Sequence, residues 1–144
     1  MVQQIMPEQV PKFWEAAKNL VEEAIPNVYG ESSNKLNNIL SELLMGTMIL
    51  WVTFDGEEKK TNGLFITKVI EDGITEVRSL LMYCLYTYSN VTPQIWADGW
   101  EAMRKYGMSV GCKRMTAYTD VPFIIEQAKK VGGVVSYTFL DMPF

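Results

Sequence analysis

The side chains able to do chemistry in this 144-residue chain are limited first by what is missing. There is no histidine, which removes Ser-His-Asp and Cys-His nucleophile systems and histidine metal sites together. A metal would have to use carboxylates or the two thiols, and none of them has ligand spacing, so no metal is expected. Asp98 and Glu101 share a helical face, but catalytic carboxylate pairs need burial to separate their pKa values, and this pair reads as solvated. Lys113 and Arg114, with Arg104 and Lys105 at a helix end, offer cations to a phosphate or an acidic partner, or simply to the helix dipole. Trp96, Trp100 and Tyr106 form an aromatic stripe. It reads as core or, for Trp96 and Trp100, as an interface with a protein partner or a second copy, where aromatics supply much of the energy. Cys84 and Cys112, in and beside apolar strands, read as buried reduced thiols.

Composition narrows the classes further. Thirteen basic against 17 acidic residues give a net charge of −4, which argues against a phosphate-binding nucleic-acid surface. The length suits one domain able to bury roughly two thirds of its unfolded surface. Residues 1–10 show neither a basic start nor an apolar core of a leader, and the apolar runs 48–52 and 80–85 fall short of the ~18 residues of a membrane helix. A cytoplasmic location without membrane association is expected.

The elements that must position these residues follow from periodicity. Val10, Phe13, Trp14, Ala17, Leu20, Val21, Ala24 and Ile25 make one helical stripe, closed by Pro26. Leu36, Ile39, Leu40, Leu43 and Leu44 predict a second helix, with Ser32 or Ser33 as N-cap and Gly46 as the stop. Strands are expected over 48–54, 64–70 and 77–88, with turns at Asp55-Gly56 and Asp72-Gly73. In the third strand Leu80, Met82, Cys84 and Tyr86 should share one face and Leu81, Tyr83 and Leu85 the other, placing it in mid-sheet. Thr92 and Pro93 open a helix, 114–119 is a short strand, and Asp120 is expected to cap a last helix with Phe123, Ile124, Gln127, Ala128 and Val131 inward. Gly132-Gly133 ends it, and 134–140 reads as a final strand. A short strand over residues 2–6 completes an α/β (α+β) mixed sheet in the order (β)ααβββαβαβ.

That order resembles the GNAT fold of acyl-CoA N-acyltransferases along the whole chain. The C-terminal half resembles short GNAT-like proteins encoded by tailed bacteriophages, through Leu80-Leu81-Met82-Tyr83-Cys84-Leu85-Tyr86, residues 96–100, Gly111-Cys112-Lys113-Arg114-Met115-Thr116-Ala117-Tyr118-Thr119, and Gly132-Gly133 ahead of Tyr137-Thr138-Phe139. The resemblance implies that acyl-CoA binds where two central parallel strands part, along the strand holding Met82 and Cys84, with its pyrophosphate on a glycine-rich turn opening the next helix. Here that turn is Tyr88-Ser89-Asn90-Val91-Thr92-Pro93-Gln94, without glycine or arginine; Ser89, Asn90, Thr92 and Gln94 are its candidate ligands. The family's general-acid tyrosine, four residues before the closing glycine, corresponds to Ala128, which leaves Tyr118 or Tyr86 as the candidate acid. No carboxylate stands on the central strand.

These departures lead to an expected function as a non-catalytic, phage-type virion or assembly component that binds protein partners and needs no cofactor. The alternative is an acetyl-CoA-dependent N-acetyltransferase with an atypical pyrophosphate loop. A third reading is an acyl-CoA sensor without turnover.

Overall fold

The structure, a computed structural model, describes residues 1–54, 60–88 and 91–144. The expected turn at Asp55-Gly56 lies outside the described residues. Helix α1, Val10–Ala24, buries Val10, Trp14, Ala17 and Val21, the i, i+4, i+7, i+11 face of its stripe. It stops where Ile25, forced out of the helical region by Pro26, turns extended at ψ 121°. Helix α2, Lys35–Met45, begins at Asn34, not at Ser32 or Ser33; the Ser32 hydroxyl instead accepts the Asn34 N–H at 3.2 Å. Gly46, at φ +79°, ends it, a left-handed position that glycine takes without steric cost.

Five strands form one sheet in the order β1-β2-β3-β4-β5. These are β1 Val2–Ile5, β2 Met48–Phe54, β3 Thr61–Glu71, β4 Arg78–Thr87 and β5 Arg114–Ala117. All neighbours are antiparallel except β4 and β5, which run parallel through the crossover helix α3, Pro93–Ser109. Helices α1 and α2 cover one face with Val21, Ile39 and Leu43 against Leu50, Ile66 and Cys84. Helix α3 covers the other, with Met103 and Tyr106 against Trp51, Phe65 and Leu80. Val21, Leu50 and Ile66 are fully enclosed, each worth about 1.5–3 kcal/mol of transfer free energy.

Simple alternation does not survive along β4. Ile66 pairs with Cys84 while its neighbour Thr67 pairs with Met82, so Tyr83 is an extra residue, a β-bulge. The bulge resets the faces: Leu80, Met82 and Leu85 pack toward α3, and Tyr83, Cys84 and Tyr86 pack toward α1 and α2. The expected grouping of Leu80 and Met82 with Cys84 and Tyr86 is corrected accordingly.

The last quarter of the chain departs most from expectation. Helix α4, Pro122–Lys130, has no buried residue, and its N-cap is Val121 rather than Asp120. It closes with a Schellman turn, Gly133 N–H to Ala128 O at 2.8 Å and Gly132 N–H to Lys129 O at 3.1 Å. Residues 134–140 form no strand and stand exposed. Their composition is that of a strand, but strand preference is realised only against a paired neighbour, and no described residue of this chain provides one.

Candidate active site

The parallel register of β4 with β5 runs from Ser79↔Arg114 to Met82↔Ala117 and stops. Beyond it β4 continues through Tyr83 to Thr87, paired only on its β3 edge. The bulge at Tyr83 falls at the point of parting. A bulge bends its strand locally, and past this one a stretch of β4 main-chain N–H and C=O groups has no strand neighbour on the β5 side among the described residues. Backbone groups in this state accept an extended ligand by strand-like hydrogen bonding, and no particular side chain is required.

Aromatic rings line the gap. Tyr29, from the turn between α1 and α2, lies flat on Tyr83 with centroids 4.1 Å apart and planes 6° from parallel. Tyr118, the residue after β5, meets Tyr29 edge-on at 5.8 Å and Phe139 at 6.0 Å. The Tyr29 hydroxyl is enclosed with no hydrogen-bond partner among the described residues. Burial, then the neighbouring Tyr83, Cys84 and Tyr118 groups, push its phenol upward from the ordinary tyrosine range, and burial does the same to Tyr83. Both rings therefore keep their protons and can donate a hydrogen bond. Cys84 sits beneath them, its thiol pushed up to about 12 by burial; it is an inert apolar group rather than a nucleophile.

The other candidates fall as follows. Tyr118 joins the aromatic group at the parting. Tyr86 does not: its ring packs with the α1/α2 core and meets Tyr88 edge-on at 5.3 Å. Met82 is the last paired rung on the α3 side. Ser89 and Asn90 lie outside the described residues. At the start of α3, Thr92 Oγ1 accepts the Ile95 N–H at 3.3 Å, and the Thr92 carbonyl accepts the Trp96 N–H at 3.2 Å. Pro93 has no N–H to give. Gln94 turns its side-chain amide to Asp98 at 2.8 Å.

Trp96 and Trp100 are half-buried, with Trp96 edge-on to Phe123 of α4 at 5.7 Å. The basic residues do not gather: Arg104 pairs with Glu101 at 2.8 Å, and Arg114 donates to Ser79 at 3.0 Å.

Tyr29 had no place in the sequence reading, which treated its segment as a connection. An aromatic residue in a turn between two core helices, followed by a left-handed glycine at φ +82°, is the signal that marks it. A cavity of about 400 Å³ lies at the opposite end of β4, between Arg78, Lys68, Glu42 and Tyr106. Its cations already have partners, Lys68 in Glu42 at 2.6 Å and Arg78 in the Val110 carbonyl at 2.6 Å. We therefore place the site at the parting of the strands.

Comparison with known proteins identifies the fold. A probable acetyltransferase superposes with a TM-score of 0.72 at 14% identity, covering 100% of this chain and 97% of that one. The fold is that of the GNAT acetyltransferases. AAC(6')-Iy, solved in complex with the bisubstrate analog CoA-S-monomethyl-acetylneamine, superposes with a TM-score of 0.71 at 12% identity, over 100% and 97% of the two chains. A putative acetyl transferase from Pyrococcus furiosus gives 0.67 at 11% identity, over 100% and 99%. No family model and no curated sequence matches the chain. Among the described residues no helix is long and apolar enough to cross a membrane, and no cluster of Cys, Asp or Glu could hold a metal ion.

Proposed function

We propose that this GNAT-fold protein is an acyl-CoA-dependent N-acyltransferase whose thioester substrate lies along the unpaired edge of β4. The observation that carries this is the coincidence of three features: the end of the β4–β5 register, the bulge at Tyr83, and neutral phenols grouped over the gap. The amide-rich pantetheine arm suits a strand edge. In the transfer, the acceptor nitrogen forms a bond to the thioester carbonyl carbon and the carbon–sulfur bond breaks. The acceptor's proton passes to water, since β4 bears no carboxylate and Glu76 stands exposed in the β3–β4 turn. The departing thiolate takes a proton from Tyr118, which sits where the strands separate. Thr92 and Gln94, with Ser89 and Asn90, are the proposed contacts of the CoA phosphates.

The non-catalytic assembly reading, with its phage-like sequence blocks, retains one observation in its favour: the start of α3 spends its N–H groups on its own Thr92. The comparisons support the transferase. Release of free CoA thiol from acetyl-CoA in the presence of a panel of primary amines tests it. Tyr118→Phe should slow turnover by about 10²–10⁴-fold with little change in acetyl-CoA KM, whereas Tyr86→Phe should leave it within a few-fold. Absence of thiol release with every amine would overturn the transferase reading.

A further inference from the structure

The proposed transferase makes no use of the cavity of about 400 Å³ at the other end of β4, a volume within the range of small-molecule sites. The register of β2 with β3 ends at Met48↔Lys68, while β3 runs on through Glu71 beside β4. A groove is left where β2 has not yet begun. Half-buried Ile49 and Val69 give it an apolar floor, and the Tyr106 ring, edge-on to Trp51 at 5.2 Å, is one wall. Four charged side chains border it. Lys68 and Glu42 close on each other at 2.6 Å. Glu71 and Arg78 stand directly opposite across the strands, where unlike charges ordinarily pair. Yet Arg78 Nε and Glu71 Oε1 remain 4.0 Å apart, beyond hydrogen-bond reach. The cause is the end of α3: Arg78 Nη1 donates to the Val110 carbonyl at 2.6 Å, at the negative end of the helix dipole. Arg78 Nε and Nη2, a fork that matches a carboxylate, have no hydrogen-bond acceptor among the described residues. Nor does the Tyr106 hydroxyl, which burial keeps protonated.

We propose that this groove is a second ligand site, separate from the strand parting, that takes a free α-amino acid with an apolar side chain. Its carboxylate lies in the Arg78 fork and accepts from the Tyr106 hydroxyl, its ammonium sits against Glu71, and its side chain rests on Ile49 and Val69. The charges select this class. A simple anion in the fork would stand beside Glu71, and a simple cation at Glu71 would stand beside Arg78; like charges at that range oppose binding. A zwitterionic head places one charge against each, and so fills the opening that Val110 keeps between them. The Lys68–Glu42 pair, already closed, adds no net charge at the far side. Tyr83 lies five residues from Arg78 along β4, about 16 Å at ~3.3 Å per residue, so a small ligand here does not reach the aromatic group at the parting.

Calorimetric titration of the full chain with L-leucine tests the proposal without reference to acyl-CoA. Binding with Kd of about 1 mM or tighter is expected. The two half-ligands, 4-methylpentanoate without the ammonium and 3-methylbutylamine without the carboxylate, should each bind at least about tenfold more weakly. Arg78 also ties β4 to the end of α3, so its removal could unfold the chain, and the variants are placed at its neighbours. Glu71→Gln, at an exposed side chain, should weaken L-leucine binding by about tenfold or more. Tyr106→Phe keeps the ring against Trp51 and removes only the hydroxyl; it should weaken binding by about threefold or more. Both variants should keep the circular dichroism of the unaltered chain. No binding of L-leucine up to about 10 mM, equal binding of either half-ligand, or unchanged affinity in either variant would each overturn the proposal.

Discussion

The two halves of β4 show what the same strand does with and without a second neighbour. From Ser79 to Met82 it is paired on both edges, to β3 and to β5. There Leu80 is buried against α3, close enough to Gly107 that a Cβ at that glycine would stand 3.6 Å from its side chain. From Tyr83 to Thr87 one edge has no strand neighbour among the described residues, and the side chains on the α1/α2 face are two tyrosines and a buried thiol. The first half holds the fold together. The second half is held open by it, and its backbone polar groups are kept available rather than spent. The bulge at Tyr83 is the switch between the two conditions.

This contrast can be broken most severely in the first half. Leu80→Ala should cost about 2–5 kcal/mol in urea unfolding, from lost burial plus the cavity left behind. Tyr83→Leu in the open half should cost only about 1 kcal/mol, chiefly the stacking on Tyr29, while weakening acyl-CoA binding. Equal losses would erase the distinction.

A pH titration sharpens the contrast next. Cys84 has its folded thiol pushed up to about 12 by burial, above the unfolded value of ~8.5. Above pH ~8.5 the unfolded chain releases this proton and the folded one keeps it. The contribution is thus fully present below that pH and is lost as pH rises toward about 12, by up to ~1.4 kcal/mol per unit. Cys84→Ala should flatten this part of the stability curve, measured by urea unfolding at each pH; an unchanged slope would mean the thiol is not shielded as described.

The smallest expected effect concerns the substrate's phosphates. Because Thr92 and Pro93 occupy the start of α3, the pyrophosphate should add little. Acetyl-pantetheine should bind within about tenfold of acetyl-CoA by calorimetry, a difference under ~1.4 kcal/mol. A loss of several hundred-fold would show that the phosphates, not the strand edge, carry the affinity.

Much of this was legible in the sequence, and the reasons for the remainder are physical. The stripe of Val10, Trp14, Ala17 and Val21, the Thr92-Pro93 helix start and the Gly46 stop are local signals, and each stands where expected. The Tyr83 bulge is not local. An extra residue in β4 exists only relative to its β3 partner, and it inverted the expected faces from that point on. Tyr29 was missed for the same reason, since nothing near it in the chain shows that it will lie on a strand more than fifty residues away. Residues 134–140 have a strand's composition without a strand partner among the described residues, and propensity alone does not supply one. Among the candidate site residues, Tyr118 stands at the parting and Tyr86 is turned into the core. Residue type and position along the chain do not tell them apart, and the packing that separates them is tertiary.

The most direct test of the strand-edge site is the melting temperature of the purified protein titrated with acetyl-CoA. At about 100 times Kd the ligand should add about 2.7 kcal/mol, a rise of several degrees for a domain of this size, and Tyr83→Leu should diminish it. A flat response up to millimolar acetyl-CoA would contradict the account and leave the parting of β4 from β5 as architecture without a ligand.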